Sequence, residues 1–179
     1  MIAIAKDFQA GGGKFVEHDG MAQIAPGVWL TGPVGRIYPE HNWSGSGKVK
    51  TPAGLVEDTV PDDQSLIIET KEGLVVVTGC GHAGIANILT AADRQFHRPS
   101  MAVIGGLHLF PAKDETVDWT AEKMRGFGVQ YLLGAHCTGI EAVFRLREKI
   151  GLTRTTAVVG SVGSSYSLAD GIYPGRLAR

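Results

Sequence analysis

What this sequence most lacks is an excess of charge of either sign: 17 lysines and arginines stand against 18 aspartates and glutamates, for a net charge of −1. No basic surplus is available to neutralise a phosphate backbone or hold anionic lipid, so neither nucleic acid nor a membrane surface is an expected partner. Cysteine is nearly as scarce. Cys80 and Cys137 are the only two, each in a turn after an apolar run. Two cannot build a disulfide framework, and a reducing, cytoplasmic setting is the expectation. Long apolar runs are missing too. The opening MIAIAKDFQAGGG has no charged first region and five residues before Lys6, so no signal segment or membrane span is expected there. Glycine is the one excess, with 25 residues clustered at turns and not in a low-complexity tract.

A chain of 179 residues can bury a real core. We read residues 1–179 as one domain, with residues 1–21 a poorly ordered or atypical start. The first 60 residues are weakly periodic, with one strand expected at Val28–Thr31 and a long polar loop from Pro39 to Pro61. From Ser65 the pattern sharpens. SLIIET and LVVVTG flank Lys71-Glu72-Gly73 and read as a hairpin of two β-branched strands. A helix is expected from Ile85 to about Phe96, with Ile85, Ile88, Leu89 and Ala92 on one side. The strand MAVIGG, a helix over Thr116–Phe127, the strand QYLLGA, a helix over Ile140–Ile150 and the strand TAVVG follow. Strands alternating with helices of this length predict α/β architecture with a largely parallel sheet.

The ends of three successive strands read VVVTGCGHAG, AVIGGLHLF and YLLGAHCTG. They bring His82, His108 and His136 to what should be one edge of the sheet, the edge where open α/β sheets bind ligands. Neutral imidazole is a common ligand of zinc and iron, and three protein ligands with an open position is a usual catalytic arrangement. For any one histidine the plainer reading is a hydrogen-bonded loop residue; three at equivalent places favour a site. His18, His41 and His97 lie in polar or loop contexts and are set aside. Cys80 and Cys137 read either as small buried turn residues or as thiolate ligands or nucleophiles beside histidine.

Gly79, Gly81 and Gly84 also have the G-x-G-x-x-G spacing of a dinucleotide turn. That reading requires an acid at the end of the next strand for the ribose, and Ile104-Gly105-Gly106-Leu107 has none. The amides at this helix start could still hold an anion such as phosphate.

Taken in order, LVVVTGCGHAGIANIL, AVIGGLHLF and GAHCTGIEAVFRL resemble the metallo-β-lactamase-fold proteins of the branch named for a dihydropterin–ribofuranosylaminobenzene phosphate synthase. PGVWLTG, DDQSLIIET and Gly35-Arg36 extend the resemblance over about residues 22–163. It implies an αββα sandwich of two similar halves, present here as the latter portion and so incomplete. It also implies metal-dependent hydrolysis of a small phosphate or cyclic ester by an activated water. His82 and His136 match the family's later metal-binding motifs, and Cys80 stands where related branches carry a bridging aspartate. His108 matches a GGFHL-type turn and is the expected third ligand or proton carrier. The family's H-x-H-x-D-H run is absent. The implied cofactor is a divalent metal, zinc first, with iron or manganese as alternatives. The implied partners are a small-molecule substrate and either a second copy of the chain or a first-half partner covering an exposed sheet face. The alternative to a hydrolase or its truncated remnant is a non-catalytic binding or assembly module without the metal centre.

Overall fold

The computed structural model describes residues 2–40, 47–61 and 63–175. A helix, α1 (Ile2–Ala10), precedes the sheet strands β1 (Ala22–Ala25) and β2 (Val28–Leu30). Residues 39–61, expected as loop, carry a two-stranded hairpin, β3 (Lys48–Thr51) and β4 (Gly54–Glu57). Its side chains are almost all exposed, which is why no buried-strand pattern betrays it. His41 lies outside the described residues.

The remaining elements are β5 (Ser65–Glu69), β6 (Leu74–Thr78), α2 (Ile85–Phe96), β7 (Ala102–Gly105), α3 (Asp114–Gly126), β8 (Tyr131–Gly134), α4 (Ile140–Ile150), β9 (Ala157–Val159), β10 (Ser165–Ser167) and β11 (Gly171–Tyr173). The main sheet has seven strands in the order β1-β2-β5-β6-β7-β8-β9. Its β6–β9 half is parallel and its β1–β6 half antiparallel, so the expected parallel sheet gains an antiparallel wing.

Strand alternation sorts the side chains into two faces. Val76, Val103, Leu132 and Ala157 sit opposite one another across β6–β9 and pack under all three later helices. Ile85, Ile88 and Leu89 of α2, Met124 of α3 and Leu146 of α4 are fully buried there. Each such side chain contributes about 1.5–3 kcal/mol by leaving water. On the opposite face Val75, Ala102 and Met101 pack with half-buried Ile68, Val77 and Ile104, and Tyr166 of β10 covers Tyr131. The acidic first turn of α3, with Asp114 and Glu115, starts that helix two residues before the expected Thr116 and suits its positive end.

The register does the positioning. Thr78 pairs with Gly105 and Gly105 with Gly134, so the three parallel strands end at one level. The turns that follow leave from a common edge.

Candidate metal centre

The three turns are tied together before any histidine is reached. Thr78 Oγ1 donates to the Gly106 carbonyl at 2.7 Å, and the Gly106 amide donates to the Gly79 carbonyl at 3.0 Å. Thr138 Oγ1 accepts from the Leu107 amide at 3.0 Å and donates to the Ala135 carbonyl at 2.8 Å. With these bonds made, the backbone turns sharply: His108 and His136 adopt φ of 51° and 50°, and Val60, which lines one depression with His136, φ of 46°. A β-branched residue there is a genuine outlier, and such strain gathers at functional sites. His97 is left-handed for a different reason, as the C-cap of α2.

All four residues expected from the sequence come into one neighbourhood. The rings of His82 and His108 meet edge to face with centroids 4.6 Å apart. Cys80 Sγ lies 3.3 Å from His136 Nδ1. Cys80, His108 and Cys137 offer donor atoms all within 4.8 Å of one another, the tightest such group among the described residues. Cys80, His82 and His136 instead share an open depression of about 390 Å³ with Val60 and Asp63. Asp63 Oδ1 is 3.7 Å from His82 Nδ1, within ion-pair reach.

Several of these atoms are buried without partners. Both ring nitrogens of His108, Nδ1 of His82 and Oδ2 of Asp63 have no hydrogen bond. Buried polar atoms are satisfied as a rule, so a cluster of orphans at one point calls for a ligand. Burial holds His108 below the ordinary imidazole value, and neighbouring His82 and His136 add to the effect against the charge of Asp63. The ring is therefore neutral at neutral pH, the form that ligates. Burial also pushes the Cys137 thiol up to about 11, with Cys80 adding to it. A cation arriving here would displace that proton.

A strap from the first third of the chain fixes His82. Arg36 Nη2 donates to the His82 carbonyl at 2.7 Å. Asn87, 1% exposed, accepts from the Ile37 and Tyr38 amides at 2.8 Å each and donates to the Ala83 carbonyl at 2.9 Å. Glu40 then supplies the anion that this helix start has room for: its carboxylate accepts from the Ala86 amide at 3.2 Å and the Asn87 amide at 2.9 Å. The chain thus occupies its own phosphate-like pocket. Gly84, the N-cap, has φ of 90°, and any Cβ there would meet Glu40.

Burial raises Glu40 to about 6 despite the two amides and Arg36. With the folded-state value above the ordinary 4.5, the fold favours the protonated carboxyl; that contribution is complete below pH 4.5 and is lost as pH rises through about 6. Glu40→Gln should therefore gain on the wild type across this window by about 1–2 kcal/mol, read by urea unfolding of metal-free protein. A stability difference independent of pH would contradict the assignment.

Asp63, Arg36 and Glu40 join the site although no local pattern marked them as its members, and Cys137, one of whose two readings was a thiolate ligand, joins it too. No described helix is long and apolar enough to cross a membrane.

The mixed sheet under three helices, with histidine-bearing turns at its edge, matches the fold of a solved β-lactamase superfamily protein, and the resemblance drawn from the three turn motifs holds. A crystal structure described as Tm1679, a metal-dependent hydrolase of the β-lactamase superfamily, superimposes with a TM-score of 0.67 at 31% identity, over 79% of this chain and 55% of that one. Among curated proteins, the chain is similar to 7,8-dihydropterin-6-methyl-4-(β-D-ribofuranosyl)-aminobenzene-5′-phosphate synthase of Methanocaldococcus jannaschii. It is 29% identical over 148 residues, 78% of this chain and 49% of that protein. An uncharacterised protein of the same organism is 28% identical over 93 residues, 52% of this chain and 34% of that protein. The chain spans half or less of the length of these curated relatives. No protein-family model matches it.

Proposed function

We propose that this chain carries the metal-binding edge of a hydrolytic centre, with His82 and His136 holding a divalent ion, Cys80 as a further ligand beside them, and His108 serving as an additional ligand or proton carrier. The observation that carries this reading is the convergence of unpartnered ring nitrogens on His82 and His108 beside the Cys80 and Cys137 thiols. Imidazole and thiolate together suit zinc first, with iron or manganese as alternatives. When bound, such an ion supplies Lewis acidity that polarises a phosphoryl or ester oxygen and acidifies water. Asp63 stands 3.7 Å from the His82 ring, Arg36 fixes the His82 backbone, and neutral His108 can accept or pass a proton at a ring nitrogen. A small phosphate or cyclic ester is the proposed substrate, in a cytoplasmic setting. The half-buried Ile68, Val77 and Ile104 favour a covering partner on the second sheet face, a second copy of the chain or a first-half partner.

A second reading rests on the tightness of the Cys80–His108–Cys137 group: two sulfurs and one nitrogen suit a structural ion in a non-catalytic module. Protein purified without chelator should retain about one equivalent of metal, and His82→Ala with His136→Asn should lose most of it. Full occupancy after both substitutions overturns the hydrolytic assignment. Chelation that lowers Tm by more than about 10 °C favours the structural ion. Light scattering on the same preparation checks association.

A further inference from the structure

Cys80 and Cys137 are the only cysteines in the chain and stand 57 positions apart, yet the fold sets them side by side. Cys137 Sγ donates to the Cys80 carbonyl at 3.4 Å, and the two sulfurs lie within 4.8 Å of each other. Gly106 makes the approach possible. A Cβ there would stand 2.8 Å from the Cys137 sulfur and 3.1 Å from Cys80 Cα, so the two turns meet in a space that any other residue would fill. Both turns are pinned: the Phe110 amide donates to the Cys137 carbonyl at 3.1 Å, and the Gly106 amide to the Gly79 carbonyl at 3.0 Å.

The two thiols differ in access. Cys80 lines the open depression with His82 and His136, and its sulfur lies 3.3 Å from His136 Nδ1. Cys137 is not part of that wall, and its sulfur is tucked against Gly106 and the Cys80 backbone. A small oxidant entering the depression therefore meets Cys80 first, with a second thiol directly behind it. An accessible thiol backed by a resolving one is the arrangement that favours a disulfide over further oxidation.

We propose that Cys80 and Cys137 are a reversible disulfide site, oxidised by a hydroperoxide, and that closing it removes the Cys80 thiolate as a metal donor. The removal rests on the hydrolytic reading; the bond rests on the two thiols alone. First the Cys80 sulfur takes the terminal oxygen of the hydroperoxide: the O–O bond breaks, an S–O bond forms, and an alcohol, or water from hydrogen peroxide, leaves with the thiol proton. Then the Cys137 sulfur attacks that of Cys80: the S–S bond forms, the S–O bond breaks, and water leaves with the Cys137 proton. Each sulfur has given up one electron, and the hydroperoxide has taken both. Exchange with a dithiol reductant restores the pair. A disulfide sulfur carries no thiolate charge, so Cys80 no longer ligates.

The test is hydrogen peroxide treatment of chelator-treated full chain, followed by thiol counting in denaturant and peptide mapping. Two thiols should fall to none in a monomer lighter by two hydrogens, with Cys80 and Cys137 in one linked peptide, and dithiothreitol should restore both. Equilibrated with a glutathione couple, the folded chain should favour the linked form at least about tenfold over the chain unfolded in urea, because the fold holds the sulfurs together. Cys137→Ser should stop at a sulfenic acid on Cys80, trapped by dimedone. Cys80→Ser should keep the Cys137 thiol at least about tenfold longer than Cys137→Ser keeps that of Cys80. Both thiols persisting, links between chains in place of the internal one, no preference over the unfolded chain, or Cys137 reacting as fast as Cys80 overturns the proposal. Zinc should then bind the oxidised chain at least about tenfold more weakly than the reduced one, and equal affinity overturns the loss of the donor. A reduced chain that takes up no zinc counts against the metal reading, while the peptide map decides the disulfide.

Discussion

Gly105→Ala is expected to leave a chain that does not hold its fold. Gly105 has φ of 121°, and a Cβ built there lies 2.0 Å from the Thr78 carbonyl oxygen and 2.7 Å from Thr78 Oγ1. The obstacle is mostly the backbone of the neighbouring strand, so no side-chain rotation relieves it. Relief requires β6 and β7 to separate where Thr78 pairs with Gly105, and that pairing also sets the start of two histidine turns. A clash of this kind together with a disfavoured φ exceeds about 4 kcal/mol, a large part of the roughly 5–15 kcal/mol that stabilises a domain. Urea unfolding should show the wild-type transition lost or moved to near zero denaturant. Gly126→Ala is the control, since nothing lies within 4 Å of its Cβ position and the residue is helical. It should be neutral or stabilising by up to about 1 kcal/mol. A Gly105→Ala protein with a midpoint close to wild type would mean that β6 and β7 are not locked at this level.

Asn87→Ala should have the second largest effect, about 3–5 kcal/mol, for a reason unrelated to packing volume. The side chain satisfies the Ile37 and Tyr38 amides and the Tyr38 and Ala83 carbonyls, and truncation removes all four hydrogen bonds at once. The loss is also directional. Asn87 holds the strap that carries Arg36 and Glu40, so hydrogen exchange at the Ile37, Tyr38 and Ala86 amides should accelerate more than in Leu146→Ala, a fully buried helix position on α4 chosen to cost a similar amount. Equal acceleration in the two variants would reduce Asn87 to an ordinary core residue.

Much of the later fold was legible because burial writes itself into short-range pattern. The hairpin of β5 and β6 showed as paired β-branched runs, and α2 as a one-sided stripe running from Ile85 to Phe96. The exposed hairpin of β3 and β4 and the small β10–β11 pair contain no fully buried side chain and hence little pattern to read. The three histidines were visible because each follows a strand end closely. Asp63 needed one further step. In an antiparallel hairpin the start of the first strand lies beside the end of the second, and Ser65 pairs with Thr78, so an acid just before Ser65 arrives at the same edge. Glu40 offered no such clue: it caps amides more than 40 positions away, and only the folded chain brings the two together. Cys137 was weighed as a ligand, but its closeness to Cys80 depends on how two separate turns fold over Gly106, whose Cβ position lies 2.8 Å from the Cys137 sulfur.

The common level at which β6, β7 and β8 end also limits how relatives of this chain can vary in length. Residues added to the α2–β7 or α3–β8 connections are absorbed far from the edge and leave the turns where they are. A single residue gained or lost within one of the three strands shifts its turn by about 3.3 Å and reverses which face each following side chain points to. One imidazole would then leave the other two. Length change should therefore be free in the connections and nearly forbidden in the strands, so the site behaves as a fixed frame that substrate-facing loops can be rebuilt around.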